Sequence, residues 1–164
     1  MKHSSGFTLI ELVIVIVILG ILAITAAPKF LNMQGDARES ALKGVEAAVK
    51  SAAEMVHAKA VIAGVEASSA ATITLSSGKT VRTVYGYPNG QDLMAILDIS
   101  ASSSATATDT DFIYLSLDTA PNTIGIWPKG DYASASNHED VCNVTYVDAT
   151  PSSAAPLITF YTGC

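Results

Sequence analysis

The hydrophobic and polar positions divide the chain into three patterns. In the first, 21 residues from Phe7 to Ala27 carry a single charge, Glu11, and apolar side chains fall on every side of a helix. At ~1.5 Å of rise per residue this stretch would be ~32 Å long, enough to cross the roughly 30 Å hydrocarbon core of a bilayer. The pattern therefore predicts a helix surrounded by lipid or by other helices.

The second pattern follows directly and has the period of an amphipathic helix. Charged residues lie opposite its apolar face, where Glu46 and Lys50 form a favourable i,i+4 pair worth about 0.2–0.5 kcal/mol. We therefore predict one helix from about Leu9 to Ala63, ending at the C-cap signal Gly64 and packed against a sheet along its second half. The predicted apolar face consists of Ala41, Leu42, Val45, Ala48, Val49, Ala52, Met55, Val56, Ile62 and Ala63.

Two residues are expected to break this helix. Pro28 lacks a backbone N–H, and its ring would clash with the carbonyl group of Ile24. Gly20 is a weaker helix former than alanine by roughly 1 kcal/mol. Two alternatives remain open at this point: an altered backbone between Gly20 and Pro28, or a simple kink at Pro28.

The third pattern is that of β-strands bounded by turn signals. Ser76–Lys79 separates two alternating runs and predicts a hairpin, Gly86–Gly90 is a turn cluster, and Ser100–Thr110 is predicted to be an exposed loop. The predicted fold class is therefore α+β, a long helix packed on an antiparallel sheet. Strands are predicted at Ala71–Leu75, Thr80–Tyr85, Phe112–Leu117, Ile124–Trp127, Cys142–Val147 and Leu157–Tyr161, and a short helix at Gln91–Ile99.

The composition is that of a single acidic domain. The chain has 164 residues, of which 15% are charged, and a formal net charge of −6. Nucleic-acid binding requires clustered Lys and Arg residues, so no nucleic-acid partner is predicted.

The chain contains two cysteines, Cys142 and Cys164. An even number of cysteines in a chain with an export segment is typical of a disulfide. Closing a loop of this size would stabilise the fold by roughly 3–4 kcal/mol in the chain-entropy description. The alternatives are two free thiols or a metal-binding pair, although the sequence contains no Cys-x-x-Cys.

The sequence shows no catalytic constellation. His57 does not lie beside a credible nucleophile, and it is interpreted as a solvated residue of the polar helix face rather than as a ligand. No Gly-x-Ser-x-Gly, P-loop or dinucleotide fingerprint is present. The chain is therefore predicted not to be an enzyme and to need no cofactor.

Two acidic clusters are weak candidates for metal binding. Asp109 and Asp111, with Asp118 nearby, supply oxygen atoms of the kind calcium prefers, but without EF-hand spacing. His138-Glu139-Asp140 is adjacent in sequence, and three consecutive side chains rarely converge on one ion. Both clusters are interpreted as solvated.

Two further motifs receive a structural interpretation. Asn143-Val144-Thr145 matches an N-glycosylation sequon and is treated as an accidental match. Trp127 and Tyr132 could stack on a sugar or anchor a partner, but aromatic residues of this kind more often close a core.

The start of the chain resembles a known family. Gly6-Phe7-Thr8-Leu9-Ile10-Glu11 resembles the class III leader motif of type IV pilins. The similarity extends to about Glu66 and includes the run from Ala26 to Asn32 and then Gly35–Arg38. Within the family, the chain is similar to the mannose-sensitive haemagglutinin (MSHA) type of pilin.

The resemblance implies how the start of the chain is processed and used. A prepilin peptidase would cut after Gly6 and methylate the new amine on Phe7. Glu11 would pair with the Phe7 amine of a neighbouring subunit and so set the register of a filament, because a carboxylate in hydrocarbon needs a cationic partner. In related filaments the stretch corresponding to Gly20–Pro28 is extended or melted. The alternative for Glu11 is an incidental acid near the helix end.

The resemblance also divides the chain into functional segments. Residues 1–6 would form the leader, 7–27 the transmembrane and filament-core helix, 28–64 its amphipathic half, and 65–164 a β-rich head. Residues 142–164 would form the disulfide-bonded D-region. The precursor would lie in the inner membrane with its N-terminus in the cytoplasm and its head in the periplasm, and then move into an extracellular filament.

The expected function is structural. The resemblance implies a subunit of a homo-oligomeric, helical type IV pilus that mediates attachment to host or abiotic surfaces, haemagglutination and biofilm formation. Its partners would include the inner-membrane pilus assembly machinery. The alternatives are a minor pilin or a type II secretion pseudopilin, some of which bind calcium, and a membrane-anchored periplasmic binding protein or enzyme.

Overall fold

A computed structural model of the chain describes residues 7–117, 122–130 and 141–164. Internal contacts divide the chain into two units, one up to Ala37 and one from Arg38 to Cys164, which are described separately below. The elements in chain order are α1 (Leu9–Ala63), β1 (Ala71–Thr74), β2 (Thr80–Val84), β3 (Tyr87–Pro88), α2 (Gly90–Ile96), β4 (Ala101–Ser102), β5 (Phe112–Ser116), β6 (Thr123–Pro128), β7 (Asn143–Val147) and β8 (Leu157–Tyr161).

The long helix predicted from Leu9 to Ala63 is confirmed, but the break expected at Gly20 and Pro28 is not present in this single chain. The helical backbone of α1 continues through both positions. Proline removes one hydrogen bond from a helix, and glycine weakens it by roughly 1 kcal/mol. In a helix of 55 residues these local costs do not end the element.

The C-terminus of α1 is closed by a Schellman motif. Gly64 adopts a φ of 67°, which a residue without a Cβ accommodates readily. The Gly64 N–H donates to the Val61 carbonyl at 3.0 Å, and the Val65 N–H donates to the Ala60 carbonyl at 3.0 Å. The C-cap predicted at Gly64 is therefore confirmed.

The amphipathic half of α1 buries a narrower arc than the sequence predicted. Met55 and Ile62 were placed on the apolar face, yet they are 51% and 81% exposed. At 3.6 residues per turn both lie roughly 110–135° around the axis from the centre of the buried arc. The buried residues of this half are Leu42, Val45, Val49, Ala52, Ala53, Val56 and Ala60.

The strands form two sheets rather than one. The first has the order β1-β2-β3 and is antiparallel, and it contains the hairpin predicted around Ser76–Lys79. The second has the order β4-β5-β6-β7-β8, and all of its pairings are antiparallel except the parallel pairing of β4 with β5. The α+β fold class is confirmed. Strand β3 lies within the predicted turn cluster and β4 within the predicted loop, and neither strand was predicted.

The main core lies between α1 and the five-stranded sheet. Val45 and Val49 of the helix belong to one cluster with Ile126 of β6 and Tyr146 of β7. A second cluster joins Val56 to the three-stranded sheet, and a third joins Leu42 to the start of β7. The second half of α1 therefore packs against two sheets, whereas packing against a single sheet was predicted.

Strand β6 is buried along its whole length. Trp127 is fully buried, and its ring lies over Gly125 on the same strand face. A Cβ atom on Gly125 would lie 2.7 Å from Cζ2 of the Trp127 ring. The absence of a side chain at Gly125 thus provides the space that the indole fills, and the core interpretation of Trp127 is confirmed.

The end of β7 is connected to the start of α2 by buried polar groups, which we call the β7 latch: Tyr146, Asp148, Pro88, Asn89 and Gly90. The Tyr146 hydroxyl donates to the Pro88 carbonyl at 2.7 Å. The Asp148 carboxylate accepts the Gly90 N–H at 2.9 Å and the Asn89 side-chain amide at 3.0 Å. Burial raises the pKa of Asp148, and these two hydrogen bonds oppose the rise.

Cys142 and Cys164 form a disulfide, with their Cα atoms 4.5 Å apart. Cys142 is fully buried and packs in the same cluster as Leu42 and Val144. The bond joins the residue before β7 to the segment after β8, and these two strands also pair with each other. The disulfide predicted from the two cysteines is confirmed.

Candidate assembly site at the start of the long helix

Thr8 and Glu11 form a capping box at the first turn of α1. The Thr8 N–H donates to Glu11 Oε2 at 2.8 Å, and the Glu11 N–H donates to Thr8 Oγ1 at 3.3 Å. The Thr8 hydroxyl also donates to Glu11 Oε2, at 2.7 Å. This reciprocal arrangement satisfies backbone donors that have no partner within the helix.

The two oxygens of the Glu11 carboxylate have different environments. Oε2 accepts two hydrogen bonds from Thr8, whereas Oε1 accepts none from the residues that the structure describes. Phe7, whose amine is the predicted partner of Glu11 in a neighbouring subunit, is 95% exposed.

Thr8 was not predicted to be a functional residue. Its signal was nevertheless present, because Thr8-Leu9-Ile10-Glu11 has the Thr-x-x-Glu spacing of a capping box before an apolar run. Gly6, the predicted residue on the other side of the cleavage site, lies outside the described residues.

The helix following this box presents an apolar surface on all sides. The segment Leu9–Ala27 is long and apolar enough to span a membrane, and none of it is buried within the chain. From Leu9 to Ile24 the large apolar side chains are 44–81% exposed. The Thr25 hydroxyl is satisfied internally, since it donates to the Leu22 carbonyl at 3.0 Å. Such a surface requires lipid or other helices around it.

The loop that carries Asp109 and Asp111 is contacted by Lys129. The Lys129 ammonium donates to the Thr108 carbonyl, and the Lys129 N–H donates to the Asp111 carbonyl at 2.9 Å. Among the described residues, no group of three or more His, Cys, Asp or Glu side chains could hold a metal ion. Asp118 and the His138-Glu139-Asp140 cluster lie outside the part of the chain that is described.

The remaining candidates belong to the packed head. Asn143 is fully buried, so its side chain is not accessible as a glycosylation site in the folded head. The interpretation of His57 as a solvated residue is wrong, because its ring stacks on Tyr87 with a centroid distance of 4.2 Å and an interplanar angle of 7°. Its position at the edge of the buried arc of α1 explains this contact. Tyr132 lies outside the described residues.

Comparison with known proteins supports the interpretation of the N-terminal segment. Residues 1–27 match the family described as the prokaryotic N-terminal methylation motif. The chain is 48% identical over 50 residues to the type IV narrow pilus major component PilA5 of Thermus thermophilus, covering 30% of this chain and 43% of that protein. It is 41% identical over 54 residues to the type II secretion system core protein G of Pseudomonas aeruginosa, covering 33% of this chain and 38% of that protein.

These similarities define a class by its N-terminal motif. The chain carries the methylation motif and is similar both to a pilus component and to a secretion-system core protein, and it matches less than half the length of each. No solved structure matches the chain. The long apolar helix, the antiparallel sheets and the C-terminal disulfide are consistent with a pilin fold.

Proposed function

We propose that this chain is a major structural subunit of a type IV pilus of the MSHA type. The observation that carries the proposal is the Thr8–Glu11 box at the start of an exposed apolar helix, which holds one carboxylate oxygen and leaves the other available. The filament mediates attachment to host or abiotic surfaces, haemagglutination and biofilm formation.

In this proposal the helix passes from one apolar environment to another. A prepilin peptidase removes residues 1–6 and methylates the Phe7 amine, which keeps its positive charge. The subunit waits in the inner membrane with its head in the periplasm, and the assembly machinery then moves Phe7–Ala27 into the centre of the filament. There Oε1 of Glu11 pairs with the Phe7 amine of a neighbour, and that pair sets the subunit register.

The Gly20–Pro28 stretch is proposed to melt during this transfer. In the single chain it is helical, but Gly20 has a low helix propensity and Pro28 deprives the Ile24 carbonyl of its helical donor. An extended stretch would lengthen the segment, because a strand rises ~3.3 Å per residue and a helix ~1.5 Å. The segments 28–64 and 65–164 remain the amphipathic half and the outward head, with the D-region at 142–164.

The alternative function is that of a minor pilin or a type II secretion pseudopilin, and the similarity to core protein G is equally compatible with it. Two features of the head favour a pilin. The disulfide joins Cys142 to Cys164, whereas pseudopilins of this size are expected to lack such a bond. The loop beside Asp109 and Asp111 is held by Lys129, a cation belonging to the chain itself.

The subunit register is tested by Glu11→Ala. The variant should accumulate in the inner membrane at the normal level and form no filaments, because the neighbour's amine loses its carboxylate. Glu39→Gln is the matched control, since Glu39 is half-buried, pairs with the exposed Lys43 one turn along α1, and its substitution also removes one negative charge. Normal piliation of the Glu11→Ala strain would refute the proposed role.

Mass spectrometry distinguishes a major pilin from a minor pilin or pseudopilin. It compares a sheared cell-surface fraction with washed membranes. A major pilin should dominate the sheared fraction, starting at N-methylated Phe7 and containing the oxidised Cys142–Cys164 pair. A processed chain retained in the membranes would favour the minor-pilin or pseudopilin alternative.

A further inference from the structure

A groove in the head lies beside the C-terminal end of α1 and the turn between β2 and β3. Its lining includes His57, Glu66, Tyr85 and Tyr87 on one side and residues 153–155 on the other. Its volume is about 790 Å³, within the range of roughly 300–1,000 Å³ that small-molecule sites occupy. None of these residues takes part in the proposed assembly site.

Tyr85 lines this groove and has a positive φ angle, which is unfavourable for a bulky residue. Val84 pairs with Tyr87, so Tyr85 and Gly86 form a two-residue turn, with φ angles of 49° and 81°. Such turns favour Asn-Gly, because positive φ angles are unfavourable for bulky residues. Tyr85 is half-buried, packs against the main core cluster and also lines the groove, so tyrosine at this position places an aromatic side chain in the groove wall although asparagine would suit the backbone better.

His57 and Tyr87, the other two aromatic residues of the lining, are closely packed. The His57 ring is stacked on Tyr87, and a Cβ atom on Gly86 would lie only 2.8 Å from His57 Nδ1 and 3.0 Å from the Glu66 Cα. Glycine at position 86 therefore allows the turn to lie directly against the histidine and the segment after α1. The groove is largely formed before any ligand arrives.

Glu66 is the charged acid of the lining, and no Lys or Arg belongs to the described residues that line it. The pKa of Tyr87 is raised mainly by burial and, to a smaller extent, by the negative charge of Glu54. A second acid therefore lies close enough to this ring to influence it. Aromatic faces attract cations through their quadrupole, and a nearby carboxylate adds to that attraction.

We propose that this groove binds a small alkylammonium cation, with its methyl or methylene groups against the Tyr85 ring and its charge near Glu66. Aromatic faces, alanine methyl groups and one carboxylate together complement a cation that carries apolar substituents. An anion would be repelled by Glu66, and a small metal ion would find too few oxygen ligands among the described lining residues. This inference does not depend on the proposed filament function.

The test uses the full-length, ¹⁵N-labelled chain in detergent micelles and two probes of similar shape, tetramethylammonium chloride and uncharged tert-butanol. Tetramethylammonium should shift the amide signals of Glu66, Tyr85–Tyr87 and residues 153–155, at constant ionic strength. Tert-butanol should bind about two- to fivefold more weakly, because it lacks the charge. Equal shifts with both probes, or shifts outside the groove alone, would overturn the proposal.

Two variants locate the interaction. Tyr85→Leu keeps an apolar side chain but removes the aromatic face, and Glu66→Gln removes the charge at an exposed position where folding is not at risk. Each should weaken tetramethylammonium binding about two- to fivefold. Asp98→Asn removes one charge from an exposed position outside the groove lining and should leave the affinity unchanged. An unchanged affinity in Glu66→Gln, or an equal loss in Asp98→Asn, would contradict the proposed site.

Discussion

Thr8→Val offers the most incisive test of the assembly site, and its reasoning rests on the proposed filament. Valine has nearly the shape of threonine but lacks the hydroxyl group, so Glu11 Oε2 would lose one of its two donors. In the membrane-bound subunit this oxygen lies near the interface, where water can replace the hydroxyl. In the filament interior water is excluded, and the loss falls mainly on the assembled state.

The expected cost of Thr8→Val for subunit addition follows from the strength of the lost hydrogen bond. A hydrogen bond to a charged group is worth about 1.5–3 kcal/mol, and part of this loss is common to both states. A net penalty of about 1–2 kcal/mol for each added subunit is therefore expected. A penalty of this size corresponds to a dissociation constant for subunit addition that is about 5- to 30-fold higher.

The assay compares sheared filament yield among strains that express the native chain, Thr8→Val and Thr8→Ser at equal membrane levels. Thr8→Ser retains the hydroxyl and should restore most of the yield, whereas Thr8→Val should lower it strongly. Intact mass must first show normal cleavage and methylation at Phe7. Normal yield in Thr8→Val, or an equal loss in Thr8→Ser, would refute the role assigned to the hydroxyl group.

Three predictions concern the head and are measured by unfolding of the chain in detergent. Hydrogen bonds from Arg82 lower the pKa of Asp92, so Asp92 stabilises the fold above about pH 4, and this contribution is lost as the pH falls through the lowered pKa. Asp92→Asn should therefore lower the free energy of unfolding by about 1–2 kcal/mol at pH 7 and reduce the loss of stability on acidification. An unchanged pH profile of stability in the variant would contradict this assignment. Gly125→Ala should cost about 1–3 kcal/mol, because its Cβ would overlap the ring of Trp127, and wild-type stability would show that the ring can move freely. Cys164→Ser should cost about 2–4 kcal/mol, an effect that reducing agent should reproduce in the native chain and not in the variant.

The elements of this fold were predictable where a local signal coincided with the tertiary structure. The hairpin at Ser76–Lys79 and the cap at Gly64 depend on short-range turn chemistry, and both were predicted correctly. The strand Leu157–Tyr161 was also placed at its observed bounds. Strands β3 and β4 have only two residues each, and they are defined by pairing partners that no local pattern reveals.

The errors along α1 have two different causes. His57 was assigned to the polar face, yet Tyr87 arrives from a distant turn and covers its ring. Met55 lies between buried residues in sequence, but it falls outside the arc that the sheets cover. At the assembly site Glu11 was identified from the sequence, whereas its partner Thr8 was missed although the spacing of the capping box was visible.

The β7 latch also joins segments that lie far apart along the chain. Its hydrogen bonds join Tyr146 to Pro88 and Asp148 to Gly90, in each case across 58 residues of chain. A helix forms in about a microsecond, whereas contacts between segments so far apart form much more slowly. The first turn of α2 is therefore expected to gain its Asp148 acceptor late in folding, after the helical segments have formed.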